Sequence, residues 1–356
     1  MIHKQKMTIV ILMFFAAFFT MTARTPFRKK DKDESRITAG WLGFKAGISR
    51  TSRAFTKSMF SIFNRDYFYN HLFPKKYVKD AHHDNTFIDC IAINKCIEKL
   101  LKEIKKLKKE YTDFEILKDK NFNRFKKCGL LILKFKNYPF VLKLFMETPK
   151  TFIDPYCKGP DNQFFFYMSG GMNRHIAGLT RVRNLELVKN QIEQNDRWKN
   201  KITMPRKWYW IPKKPRWMEI KGYNIGNEKE ISTLMPSTYA IIADMLDTKE
   251  DAPLLSVQKR SELVMQLCMD LQLFVDPHGD NFVVKHNKET NEYNISIVDT
   301  EHFPSLVGLK EQPFFNNHLE YYVYLGAKYF KDAFLQTKLD RREAQNYISP
   351  CELQWQ

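Results

Sequence analysis

Residues Val275 to Glu301 read VDPHGDNFVVKHNKETNEYNISIVDTE, and the reading of the whole chain turns on them. Asp276 and Asn281 stand in a D-x-x-x-x-N spacing, and a second carboxylate, Asp299, closes an apolar run. Two carboxylates and an amide are what metal-dependent phosphoryl transfer needs. One carboxylate orients or deprotonates an acceptor hydroxyl, and the amide oxygen and the other carboxylate hold divalent cations.

The flanking residues give this grouping a scaffold. Leu263, Val264, Leu267, Leu271 and Phe274 recur at helical spacing, so a helix over Lys259 to Phe274 delivers the chain to Asp276, where Pro277 and Gly279 end it. Phe282-Val283-Val284 and Ile295 to Val298 are β-branched or aromatic runs separated by a polar stretch, which predicts a hairpin. Antiparallel pairing then brings Asn281 and Asp299 together at one end. His278 is expected to brace the loop and Asp280 to face solvent.

Helix, D-x-x-x-x-N loop, hairpin and terminal Asp resemble the catalytic segment of the protein-kinase-like superfamily. DPHGDN…VDTE looks most like the atypical branches: UbiB-type kinases and the aminoglycoside, choline and lipid kinases. The resemblance covers roughly Gly129 to the C-terminal helices. It implies a two-lobed α+β fold, with a small β-rich N-lobe and a larger helical C-lobe. It further implies ATP and Mg2+ (or Mn2+) as cofactors, Asp276 as the catalytic Asp, and Asn281 and Asp299 as metal ligands. Two features depart from the pattern. Thr300-Glu301 replaces the usual Phe-Gly, and the hairpin between Asn281 and Asp299 is longer than in typical eukaryotic kinases.

A kinase-like site also needs an upstream strand Lys that reaches the nucleotide phosphates. Val141-Leu142-Lys143 resembles such a strand, with Lys136-Asn137 as the preceding turn, so Lys143 is the candidate. Its partner is expected to be Glu186, on a helix over Gly171 to Gln194. The adenine-binding hinge is expected at Glu219, Ile220 and Lys221. It would follow two aromatic-rich strands, Lys207 to Pro212 and Arg216 to Lys221, that end the small lobe. Ser237 to Leu246 and Asn317 to Gln336 read as further helices. No glycine-rich loop is evident: Gly129 alone lies near its expected place. Two other readings stay open. One is a metal-dependent hydrolase using His278, Asp299 and His302. The other is a nucleotide-binding pseudokinase scaffold.

The rest of the chain sets the context. Hydrophobic residues make up 44% of the 356 positions, enough for a sizeable core. A basic start at His3 to Lys6 and an uncharged apolar run from Met7 to Thr20 read as a signal peptide or signal anchor over residues 1–23. The implied location is exported, secreted or membrane-anchored. A basic linker and helical extension occupies 24–110, an N-lobe 111–221 and a C-lobe 222–356. Within the extension, Ile93, Ile97, Leu100, Leu101, Ile104 and Leu107 line one helix face, with lysines opposite. The formal net charge of +18 favours weak attraction to phosphate-bearing surfaces such as an anionic membrane, and the kinase resemblance implies nucleotide as a partner. No dedicated nucleic-acid module is present. The hydroxyl acceptor is left open between protein, lipid and small molecule. The six cysteines are too irregularly spaced for a disulfide framework or a zinc site, and Cys268 reads as a buried free thiol.

Overall fold

The computed structural model describes residues 62–148, 151–152, 171–223, 230–246, 257–271, 275–287, 292–306, 320–321 and 323–325, with the backbone of three further strands at 37–41, 44–48 and 347–349. All lie in the unit Arg36–Gln356. The expected leader at 1–23, Cys157, Cys351 and most of the helix expected at 317–336 lie outside the described residues. Among the described residues no helix is long and apolar enough to cross a membrane.

The chain is mixed α+β, with its sheets built almost entirely from antiparallel pairs. In order it forms β1 (Ile37–Trp41), β2 (Phe44–Ile48), α1 (Arg65–Asn70), β3 (Tyr77–Lys79), β4 (Phe87–Asp89) and α2 (Cys90–Lys105). There follow β5 (Phe114–Lys118), β6 (Phe122–Asn123), β7 (Cys128–Phe135), β8 (Phe140–Met146) and the long α3 (Gly171–Glu193). Next come β9 (Ile202–Thr203), β10 (Lys207–Trp210), β11 (Trp217–Tyr223), β12 (Glu230–Pro236), β13 (Thr238–Asp244) and α4 (Val257–Leu271). The last are β14 (Phe282–Asn287), β15 (Glu292–Ile297), α5 (Phe303–Leu306) and β16 (Tyr347–Ser349).

The central sheet runs β10-β13-β8-β7-β5, with β6 added to β7. Alternation along each strand assigns its two faces. Leu142 and Leu144 of β8, Ala240 and Ile242 of β13 and Leu131 and Leu133 of β7 pack on Ile93, Ile97, Leu100 and Ile104 of α2. Phe145 of β8, Tyr239 and Ile241 of β13, Tyr209 of β10 and Leu130 of β7 pack on Ile176, Ala177, Leu179 and Val182 of α3. Two helices therefore sandwich the sheet, and α2 belongs to the core rather than to an extension. By the same alternation, Lys143 and Lys207 lie on the α3 face. A third apolar cluster joins the C-terminal half of α3 to α4 and the hairpin, through Val188, Ile192, Leu267, Phe282 and Ile297.

Four expectations are corrected. Ser237 to Leu246 is not a helix but β13, the strand between β10 and β8. Its run Thr238–Asp244 is buried on both faces, so the period-two signal that marks a half-exposed strand is absent. The two aromatic strands expected to end one lobe together belong to different sheets: β10 joins the central sheet, and β11 a separate one ordered β12-β11-β1-β2. β1 and β2, in a stretch read as linker, pair antiparallel. Leu107 lies beyond the end of α2 at φ 58 and is exposed.

Gly178 marks the closest approach of α3 to the sheet. A β-carbon there would lie 2.1 Å from the Tyr239 hydroxyl and 2.6 Å from the Phe145 ring. These two rings are stacked with centroids 4.8 Å apart, and the Tyr239 hydroxyl donates to the His175 carbonyl. They have little room to give. Alanine has a better helix propensity than glycine by ~1 kcal/mol, but overpacking costs about 1–3 kcal/mol or more. Gly178→Ala should therefore destabilise the protein, read as a lower urea midpoint with unchanged slope.

Candidate active site

The hairpin and loop meet as the sequence predicts. Phe282 pairs with Ile297, and the Val298 N–H donates to the Asn281 carbonyl at 2.8 Å. Asn281 therefore faces the residue before Asp299. A single 3-10 turn, Gly279–Asn281, joins Asp276 to the strand, and the His278 side chain accepts from the Asp280 N–H. His278 is the brace the sequence led us to expect, and Asp280 is exposed. The Asn281 amide N–H donates to the Asp276 carbonyl at 3.1 Å, and the His278 N–H donates to the Asp276 carboxylate at 3.2 Å. Asp276 lies near enough for its charge to act on Glu301 and Arg174.

Lys143 of β8 reaches this hairpin. Its Nζ donates to Asp299 Oδ2 at 2.7 Å, between residues 156 apart in sequence. Lys143, Asp276, Asn281 and Asp299 thus gather at one place.

Glu186 is not the partner of Lys143. Its carboxylate accepts from the Tyr67 hydroxyl at 2.8 Å and meets His71 Nε2 at 3.0 Å, and it is half exposed. Glu186 lies five residues past Arg181, the α3 residue that faces the site, and five residues on a helix turn it to another face. Glu219, Ile220 and Lys221 are not placed as a hinge either. Each is paired with β12 on one side and β16 on the other, which leaves no open backbone edge there for an adenine. The proposed hydrolase ligands do not assemble. His302 is buried and its Nδ1 engages Ser305, whereas His278 is exposed. Among the described residues no three His, Cys, Asp or Glu side chains form a metal-holding group.

Sequence reading missed three basic residues. Arg181 Nε donates to Asp299 Oδ1 at 2.8 Å, and its Nη2 lies 2.7 Å from Glu301 Oε2. One guanidinium fork thereby spans the first and third residues of Asp299-Thr300-Glu301. Arg174 adds a contact to Glu301 at 3.3 Å. Lys207 of β10 donates to the Thr300 hydroxyl at 2.8 Å, which in turn donates to the Arg181 carbonyl at 2.6 Å. The only sequence signal was basic residues interrupting apolar runs. In a chain with 58 Lys and Arg that signal is faint.

The electrostatics follow from burial. Desolvation alone would raise the Asp299 carboxyl, but Arg181, then Lys143 and Lys207, overcome it and hold the group well below the usual carboxylate range. Burial keeps Glu301 above its usual range in spite of Arg181 and Arg174. Burial also lowers Lys143 and pushes Lys207 down to about 7, with Lys143, Arg181 and Lys189 adding repulsion and Asp299 opposing it. Four basic side chains thus gather around the buried Asp299 and Glu301, with Asp276 close by, and burial draws both lysines toward their neutral forms.

The chain matches no protein-family model, no curated protein and no solved structure.

Two outcomes follow from the buried charges. Arg181→Met strands Asp299 and Glu301 without their shared counter-charge and should cost about 3–5 kcal/mol of stability. Arg181→Lys, which keeps the charge without the fork, should retain part of it. Urea unfolding of both variants checks this. For Lys207 the folded state disfavours the charged form, so its cost is full below pH 7 and fades as the pH rises toward the free-lysine value. The stability of wild type relative to Lys207→Met should therefore climb from pH 7 to 9, by up to about 1.4 kcal/mol per pH unit.

Proposed function

We propose that this chain is a two-lobed, kinase-like phosphotransferase that moves the ATP γ-phosphate to a hydroxyl acceptor. The observation that carries the reading is the contact between Lys143 and Asp299. A strand Lys that serves nucleotide phosphates and a carboxylate that serves their cation must converge on one place, because the phosphates bridge them. These two residues stand 156 positions apart in sequence, and their side chains lie 2.7 Å apart.

The sheet order agrees with this reading. Lys143 stands on the third long strand of the central sheet, counted from β5, and the following helix is the element that in kinases turns a Glu toward the Lys. Here that helix supplies Arg181 instead, so Asp299 rather than a Glu accepts the Lys. In this layout the small lobe ends with β13, and the connector to the helical lobe leaves it at Met245, not at Glu219 to Lys221.

The residues present fit a divalent cation. Asp299 and Asn281 offer carboxylate and amide oxygens, hard ligands suited to magnesium. Beside them, Glu301 Oε1 is buried without a hydrogen-bond partner among the described residues. Asn281 and Asp299 would hold the cation, which when bound neutralises phosphate charge. Lys143 leaves Asp299 for the phosphates, Arg181 stays on Asp299 and keeps its orientation, and Asp276 orients the acceptor hydroxyl. The acceptor class is open between protein, lipid and small molecule.

The same buried Arg181 on Asp299 favours a second reading, a nucleotide-binding scaffold without turnover. One set of measurements separates the two. Full-length protein should bind ATP only with Mg2+ or Mn2+, and Asp299→Ala should abolish that binding. Asp276→Ala should leave binding intact and lower turnover by at least about a thousandfold. Binding without turnover in the wild type would establish the scaffold. Absence of binding with either metal would end both readings.

A further inference from the structure

The turn between β6 and β7 projects a bare aromatic ring. Phe125 is 85% exposed and is flanked by Arg124, Lys126 and Lys127. The turn is firmly built: the Asn123 side chain accepts from the Lys126 N–H at 2.9 Å, and Phe122 is buried in the same apolar cluster as Ile104 and Tyr111. Arg124 clamps it from the other side, donating to Asp119 at 2.9 Å and to the Lys109 carbonyl at 3.1 Å. The second contact brings up the lysine-rich turn after α2, whose Leu107 is 46% exposed. Leu117, at the bulge where β5 meets β7, is 50% exposed as well.

We propose that this end of the molecule docks on an anionic lipid surface. The apolar side chains would enter the interfacial layer while the lysines meet the headgroups, the division of labour of peripheral membrane anchors. Charge complementarity selects the anionic surface. Glu103 and Asp119 are paired with Lys108 and Arg124, and the exposed acids Glu110 and Glu115 are outnumbered by Lys106, Lys109, Lys118, Lys120 and Lys126, so the sign of this face is positive. A nucleic acid would also accept the lysines and the ring, but it has no use for two exposed leucines. The inference is independent of the proposed chemistry, since none of these residues belongs to the candidate active site.

The test is co-sedimentation of the full chain with phosphatidylcholine vesicles, with and without phosphatidylserine, at low salt. The wild type should bind the anionic vesicles and not the neutral ones. Lys126→Ala/Lys127→Ala should weaken binding by more than about tenfold, as expected for two juxtamembrane charges, and Phe125→Ala should weaken it several-fold. Phe125 and Lys126 are exposed and Lys127 is half-buried, so the variants should remain folded, which unchanged thermal unfolding checks. Absence of binding, equal binding to neutral vesicles, or binding that neither variant weakens would overturn the proposal, the last by assigning it to another part of the chain. Binding that needs the lysines but not Phe125 would also overturn it, in favour of an acidic macromolecule.

Discussion

One guanidinium holds this site together. Arg181 is almost wholly buried, and it touches both carboxylates of Asp299-Thr300-Glu301 while its own carbonyl accepts from the threonine between them. Remove it, and two carboxylates remain in a low-dielectric space with only lysine and a second arginine nearby. Because Arg181 sits at the middle of α3, the position of that helix and the orientation of Asp299 are one variable. Lys143 is not alone in holding Asp299-Thr300-Glu301, because Arg181 and Thr300 fix that turn from the other side.

The two faces of the central sheet divide the labour. The α2 face is purely apolar where Leu142, Leu144, Ala240 and Ile242 pack. The α3 face places Lys143 and Lys207 among Phe145, Tyr209 and Tyr239. Ammonium groups are tolerated there because the hairpin brings carboxylate and hydroxyl partners to them. The cost of burying them is visible in their lowered proton affinity.

What the sequence disclosed was local. The helix before Asp276, the hairpin and its register, the strand around Lys143 and the long helix after it are read from periodicity and turn residues within a dozen positions. What it hid was pairing at a distance. A strand buried on both faces shows no alternation, so β13 looked like a helix. The role of Arg181 depends on which face of α3 meets a hairpin more than a hundred residues later, and no local pattern encodes that. Glu186 fits by residue type, but it lies on a face of α3 turned toward Tyr67 and His71 and away from Lys143. Likewise the stretch holding β1 and β2 read as linker, because strands that short carry too few residues to show a period.

The order of synthesis adds a constraint of its own. β13 sits between β8 and β10 in the main sheet, yet it is the last strand of that sheet to be made. Until residue 244 has emerged, β8 and β10 each present an unpaired, largely apolar edge, the kind of edge that invites pairing with another chain. A nascent or truncated chain ending before β13 is therefore not a smaller version of the fold but a sticky precursor. The cell must shield that precursor or finish it quickly.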